Sequence, residues 1–212
     1  MKMKKIVATG SALALTAAVA VGGTLAYLTD NTAEVKNTFT YSKAEQDIAL
    51  DLNEHKLNAD GTTVGSEVVK KNDYTVLPGV KVAKDPYLTL TTENPSYIYV
   101  EVKNSAESVV ASINEADGVV FGDEGSDWTL LSGVTGPNGG KVYYWNDSAT
   151  SGTTASNIPV FNSITFKNEV PADNVSAEST NISIYGYAIA VQGMGTVTDA
   201  WTTASGDFQV GA

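Results

Sequence analysis

Apolar and polar residues alternate along much of this chain with the period of a β-strand, not of a helix. Ile48, Leu50 and Leu52 interleave with Asp47, Ala49 and Asp51, as in a strand buried on one face. Val64 to Lys71 predicts a weaker strand, and Leu77-Pro78-Gly79 a turn, because proline fixes φ and glycine supplies a positive one. Tyr87 to Thr92 is rich in β-formers, and Asn94-Pro95-Ser96 turns the chain. Tyr97 to Val102 then puts Ile98, Val100 and Val102 on one face. Tyr97, Tyr99 and Glu101 take the other, as covered side chains or as an exposed aromatic ladder. Ser105 to Asn114 predicts a helix, with Ser105 as cap, Glu107 in the first turn and Val109, Val110 and Ile113 on one side. Trp128 to Leu131 and Lys141 to Trp145 flank the loop Thr135 to Gly140 as a hairpin. Ala149 to Asn157 reads as a loop, Pro159 to Lys167 and Asn181 to Gln192 as strands (the second central), and Asp199 to Ala204 as a short helix with Trp201 inward. The fold class that follows is mostly β: one antiparallel β-sandwich domain over 42–212 with one or two short helices.

The first residues break this pattern. Three lysines lie within Met1 to Lys5, and an uncharged alanine-rich run of 16 residues, Ile6 to Val21, follows. The run is shorter than the roughly 20 residues of a spanning helix, and Thr24 and Ala26 are small residues at the boundary. Residues 1–26 therefore predict an export signal helix cut between Ala26 and Tyr27. Residues 27–41 are more polar than a core strand, with Tyr27, Leu28, Val35 and Phe39 set among Thr, Asn and Asp. They read as an N-terminal arm. Such an arm either folds back as the first strand of its own sheet or pairs with a sheet edge of a neighbouring subunit. The second arrangement is head-to-tail, does not close, and so makes a fibre.

Gly22-Gly23-Thr24-Leu25-Ala26-Tyr27-Leu28-Thr29-Asp30, followed by Asn37-Thr38-Phe39, resembles the processing region of the TasA/camelysin (CalY) family, with Leu25 and Leu28 where aromatics are usual. The resemblance continues through Asp47 to Leu52, Leu77 to Pro86, Tyr97 to Val102, Tyr187 to Gln192 and Asp199-Ala200-Trp201. It implies a Gram-positive exported protein, cut by a SipW-type signal peptidase, with a jelly-roll-like sandwich. The implied role is a structural protein of extracellular biofilm-matrix or cell-surface fibres. Its implied partners are further copies of itself, with a matrix polysaccharide or an accessory fibre protein as additional candidates.

Charge narrows the partners further. Without residues 1–26 the chain keeps 186 residues, 10 lysines, no arginine and all 24 acidic residues, a formal charge of −14. Nucleic acid is not expected, since phosphate contacts need clustered basic residues. No cysteine is present, which excludes disulfides and thiolate chemistry. No second apolar stretch and no Leu-Pro-x-Thr-Gly occur, so membrane contact is expected only through the uncut signal, and assembly by non-covalent contacts.

Catalytic motifs are absent. The single histidine, His55, cannot supply His-Glu-x-x-His and is expected in a loop, unengaged. There is no Gly-x-Ser-x-Gly elbow and no phosphate loop. The best metal candidates are Asp123, Glu124 and Asp127 around Gly125, with Asp117 and Asp147 weaker; a solvated acidic turn is the plainer reading. No cofactor is expected. Tyr143 and Trp145 should share one strand face and Tyr144 the other, as core residues or as a sugar-stacking strip. The leading expectation is therefore a non-enzymatic, secreted, self-polymerising protein whose donor segment is 27–41. A monomeric glycan- or host-binding module and a carboxylate hydrolase are the alternatives.

Overall fold

A computed structural model describes residues 29–31, 48–58, 64–72, 77–92, 94–147, 153–169, 181–191 and 193–208. The signal segment, the cleavage pair Ala26–Tyr27, and Leu28, Val35 and Phe39 lie outside these residues.

The described chain is mostly antiparallel β-structure. Its strands are β1 (Thr29–Asn31), β2 (Ile48–Leu57), β3 (Val64–Val69), β4 (Lys81–Ala83), β5 (Tyr87–Thr92) and β6 (Ser96–Asn104). They continue with β7 (Val110–Asn114), β8 (Trp128–Thr135), β9 (Lys141–Trp145), β10 (Thr153–Pro159), β11 (Ser163–Phe166) and β12 (Ile182–Ala190). One α-helix, α1 (Val197–Ala204), follows. Five strands form one sheet in the order β1-β12-β6-β9-β8, four form a second, β10-β5-β2-β3, and three form a third, β4-β11-β7.

Strand alternation decides which residues make the core. Ile48, Leu50 and Leu52 of β2 and Leu88 and Leu90 of β5 join Ile98, Val100, Val102 and Ala188 of the five-stranded sheet in one buried cluster. The sheets therefore pack face to face, as in a sandwich. The opposite face of β6 and β12 is apolar too. Tyr99, Tyr187 and Ile189 pack there against Ala200, Trp201, Ala204 and Phe208. Trp201 lies tilted on Tyr99 (5.1 Å between ring centres) and edge-on to Tyr187 (5.2 Å). The tyrosines of β6 thus form no exposed ladder, because α1 covers that face.

Helix α1 begins where its cap dictates. Thr196 Oγ1 accepts from Asp199 N–H (3.2 Å), and Asp199 Oδ2 accepts from Thr196 N–H (2.9 Å), a reciprocal capping box. The backbone and hydroxyl of Thr196 hold the Asp199 carboxyl below its ordinary value of 3.8. A depressed carboxylate contributes stability that is present above the unfolded value and lost as pH falls through the folded one. Near-ultraviolet circular dichroism of Trp201 should therefore weaken below about pH 4 in the native chain. Asp199→Asn should already be weakened at neutral pH and show less further change in acid; identical acid profiles would refute the assignment.

Three expectations are corrected. Residues 105–109 form turns, and Val110–Asn114 is a strand instead of a helix. Asn104 Oδ1, not Ser105, accepts from Ala106 N–H (2.9 Å). The β-branched Val110 and Ile113 pair with β11, Ile113 opposite Ile164, which satisfies more backbone than one amphipathic turn would. The polar stretch expected as a loop contains β10, held by pairing with β5 through a bulge between Ala155 and Ile158. Pro159 to Lys167 is not one strand: β10 ends at Pro159 and β11 starts at Ser163. Strand β12, expected to be central, lies inside its sheet, paired with β1 on one side and β6 on the other.

Candidate functional site

Strand β1 sits at the edge of the five-stranded sheet. Thr29, Asp30 and Asn31 pair antiparallel with Ile189, Ala188 and Tyr187 of β12. The same segment runs close to β2 of the facing sheet, so it lies at the seam between the two layers. Of the two arrangements open to the arm, these three residues adopt the self-paired one. A strand joined to an edge through its backbone is held by contacts that depend little on its sequence.

Two polar clusters brace the sheets. The first is centred on Glu101, fully buried on the α1 side of β6. Its carboxylate accepts from Gly140 N–H (2.7 Å), Asn138 N–H (3.2 Å), Asn138 Nδ2 (3.1 Å) and the Tyr187 hydroxyl (2.8 Å). A buried carboxylate is tolerated where donors surround it. Burial, and then the charge of Glu101, pushes the Tyr187 phenol far above its ordinary range, which keeps its proton on the donor. The loop between β8 and β9 is shaped for this contact, since a Cβ on Gly136 would lie 2.2 Å from Glu101 Cδ. The hairpin tip is therefore clasped onto β6.

The second cluster joins the end of β2 to the segment before β5. Glu54 is buried and accepts from Lys84 Nζ and from Asn72 Nδ2 (2.7 Å). One residue on, His55 Nδ1 lies 2.5 Å from Asp85 Oδ2, and His55 N–H donates to Asp85 Oδ1 (3.1 Å). The imidazole stacks on Tyr87 with ring centres 5.3 Å apart. Burial, then the charges of Asp85 and Asp51, raises the Tyr87 phenol. His55 is thus engaged and lies within β2, correcting the expected loop. Pairing with β3, Glu54 opposite Val69 and His55 opposite Val68, extends the strand past its apolar portion.

The metal candidates are not brought together. Asp123, Glu124 and Asp127 are exposed. Their turn is organised by Ser126, whose hydroxyl accepts from Gly122 N–H and Trp128 N–H (3.0 Å each), and by Glu115, which accepts from Asp127 N–H (2.9 Å). Among the described residues no group of three or more His, Cys, Asp or Glu side chains could hold a metal ion. Asp117 is exposed on a 3-10 turn over Ala116–Gly118, with φ 57°, and Asp147 is exposed as well. Tyr143 and Trp145 pack against the inter-sheet core and Tyr144 against the α1 side, as alternation requires. Tyr143 lies 4.5 Å from the Phe121 ring, so these three aromatics form no continuous strip. Among the described residues no helix is long and apolar enough to cross a membrane. Sequence reasoning missed Glu101, Glu54 and the His55–Asp85 pair as buried or engaged groups. The one available signal was a charge within an otherwise apolar strand.

No family model, curated protein or solved structure matches this chain.

Proposed function

We propose that this chain is exported, cut between Ala26 and Tyr27, and polymerises non-covalently into extracellular matrix or cell-surface fibres by exchanging its N-terminal arm between subunits. The observation that carries the reading is the seat of β1: a three-residue edge strand on β12, at the seam with β2. A second copy's arm can occupy the same seat with the same backbone hydrogen bonds. Reach permits this. The 16 residues between Asn31 and Ile48 extend to roughly 55 Å, against about 40 Å across a compact domain of this size. The likeness to the TasA/camelysin processing region supports export and a jelly-roll-like strand order. Acidity and the lack of arginine suit a soluble exported subunit that binds no nucleic acid. We assign no catalytic role, since the sequence carries no His-Glu-x-x-His, no Gly-x-Ser-x-Gly elbow and no phosphate loop.

Size-exclusion chromatography and negative-stain electron microscopy on residues 27–212 and 42–212 test this reading. The longer chain should form filaments and the shorter should stay monomeric. Filaments from both would remove the arm from the mechanism, and monomers from both across pH and concentration would remove self-assembly.

A further inference from the structure

The three-stranded sheet β4-β11-β7 has a polar outer face that the fibre reading does not use. Val82, Ile164 and Ile113 point into the core, so alternation turns their neighbours outward. Register then places Ala83, Ser163 and Asn114 in one cross-strand row and Lys81, Thr165 and Ser112 in the next. A groove of about 680 Å³ lies over this face, between Lys81 and Ala83 on one side and Glu115 to Gly118 on the other.

Ser163 is the telling residue. It lines this groove, is 4 % exposed, and its hydroxyl has no hydrogen-bond partner in the chain. An unpaired buried hydroxyl is unfavourable and uncommon, so its persistence calls for an explanation. Asn162 is exposed beside it, and exposed Asp117 caps the groove from its left-handed turn. The rim carries both signs, Lys81 on one side and Asp117 on the other, while the Glu115 carboxylate is turned to the Ser126 hydroxyl and the Asp127 N–H. A polyanion meets Asp117 unfavourably and a polycation meets the lysine unfavourably. A neutral ligand whose groups both donate and accept satisfies every part of the face.

We propose that this groove binds a neutral, hydroxyl-rich glycan chain, with Asp117 and Asn162 gripping sugar hydroxyls. Ser163, after rotation about χ1, completes the contact from the floor. This site is separate from the β1 seam and does not depend on strand exchange.

Calorimetric titration of the full chain with a neutral glucan hexamer and with a uronic acid hexamer tests the proposal. The neutral hexamer should bind, and the uronate at least about tenfold more weakly. Asp117→Gly suits the left-handed φ and leaves the fold undisturbed, and Ser163→Ala removes only the hydroxyl. Each should weaken neutral glucan binding by about tenfold, the scale of one lost charged or buried hydrogen bond. No binding of the neutral hexamer, tighter binding of the uronate, or unchanged affinity in Asp117→Gly would each overturn the assignment, independently of any result on filaments.

Discussion

Glu101→Ala is expected to destabilise the chain by about 4 kcal/mol and to release the β8–β9 hairpin tip. The carboxylate satisfies two backbone N–H groups, one side-chain amide and one phenol. Each buried donor left unpaired costs about 1–3 kcal/mol. Water entering the vacated space offsets part of that sum, which is why the expected loss is well below the total. Glu101→Gln preserves volume but offers one acceptor oxygen in place of two, so about half the loss should remain. Gly136→Ala reaches the same clasp from the other side, since its Cβ would overlap Glu101. Urea titration measures the stabilities, and hydrogen exchange at Asn138 and Gly140 reports the tip. A Glu101→Ala loss below about 1 kcal/mol, within the range of an ordinary surface substitution, would show that the clasp is not holding the fold.

Lys84→Met should be nearly as damaging, for a different reason. It strands the Glu54 carboxylate in the core, where its side chain is only 7 % exposed. Removing one partner of a buried ion pair costs about 3–5 kcal/mol, because the remaining charge has lost both water and counter-charge. The double variant Glu54→Leu with Lys84→Met removes both charges and should return close to native stability. Asn72 keeps a partner in that variant, because its Nδ2 also donates to the His55 carbonyl (3.1 Å). The cycle is read by urea unfolding. A double variant as unstable as the single one would mean that the pair adds net stability instead of offsetting its own burial.

These clusters show where sequence reasoning stops. Alternation in β2 and β6 was legible because a two-sided strand has a strict period, and Ile48, Leu50, Leu52, Ile98, Val100 and Val102 lie in the observed core. The β8–β9 hairpin, the Leu77-Pro78-Gly79 turn and the inward Trp201 were legible for similarly local reasons. Three features were not local. The segment 105–114 has helix-compatible spacing, yet β11 offered Val110 and Ile113 an apolar partner strand. Strand β10 is too polar to announce itself and forms by pairing with β5. Glu101 and Glu54 look like solvent-facing residues until the layers that cover them are in place.

Sequence alone thus determined the mostly β character, the two faces of β2 and β6 and the polarity of the N-terminal arm, because these follow from residue period and composition. Tertiary structure alone decided that Glu101 is ringed by donors, that Lys84 reaches Glu54, and that β1 lies on β12. Each depends on groups between 30 and 160 residues apart in the chain, and no local pattern encodes which distant backbone or side chain will arrive to satisfy a buried charge or a sheet edge.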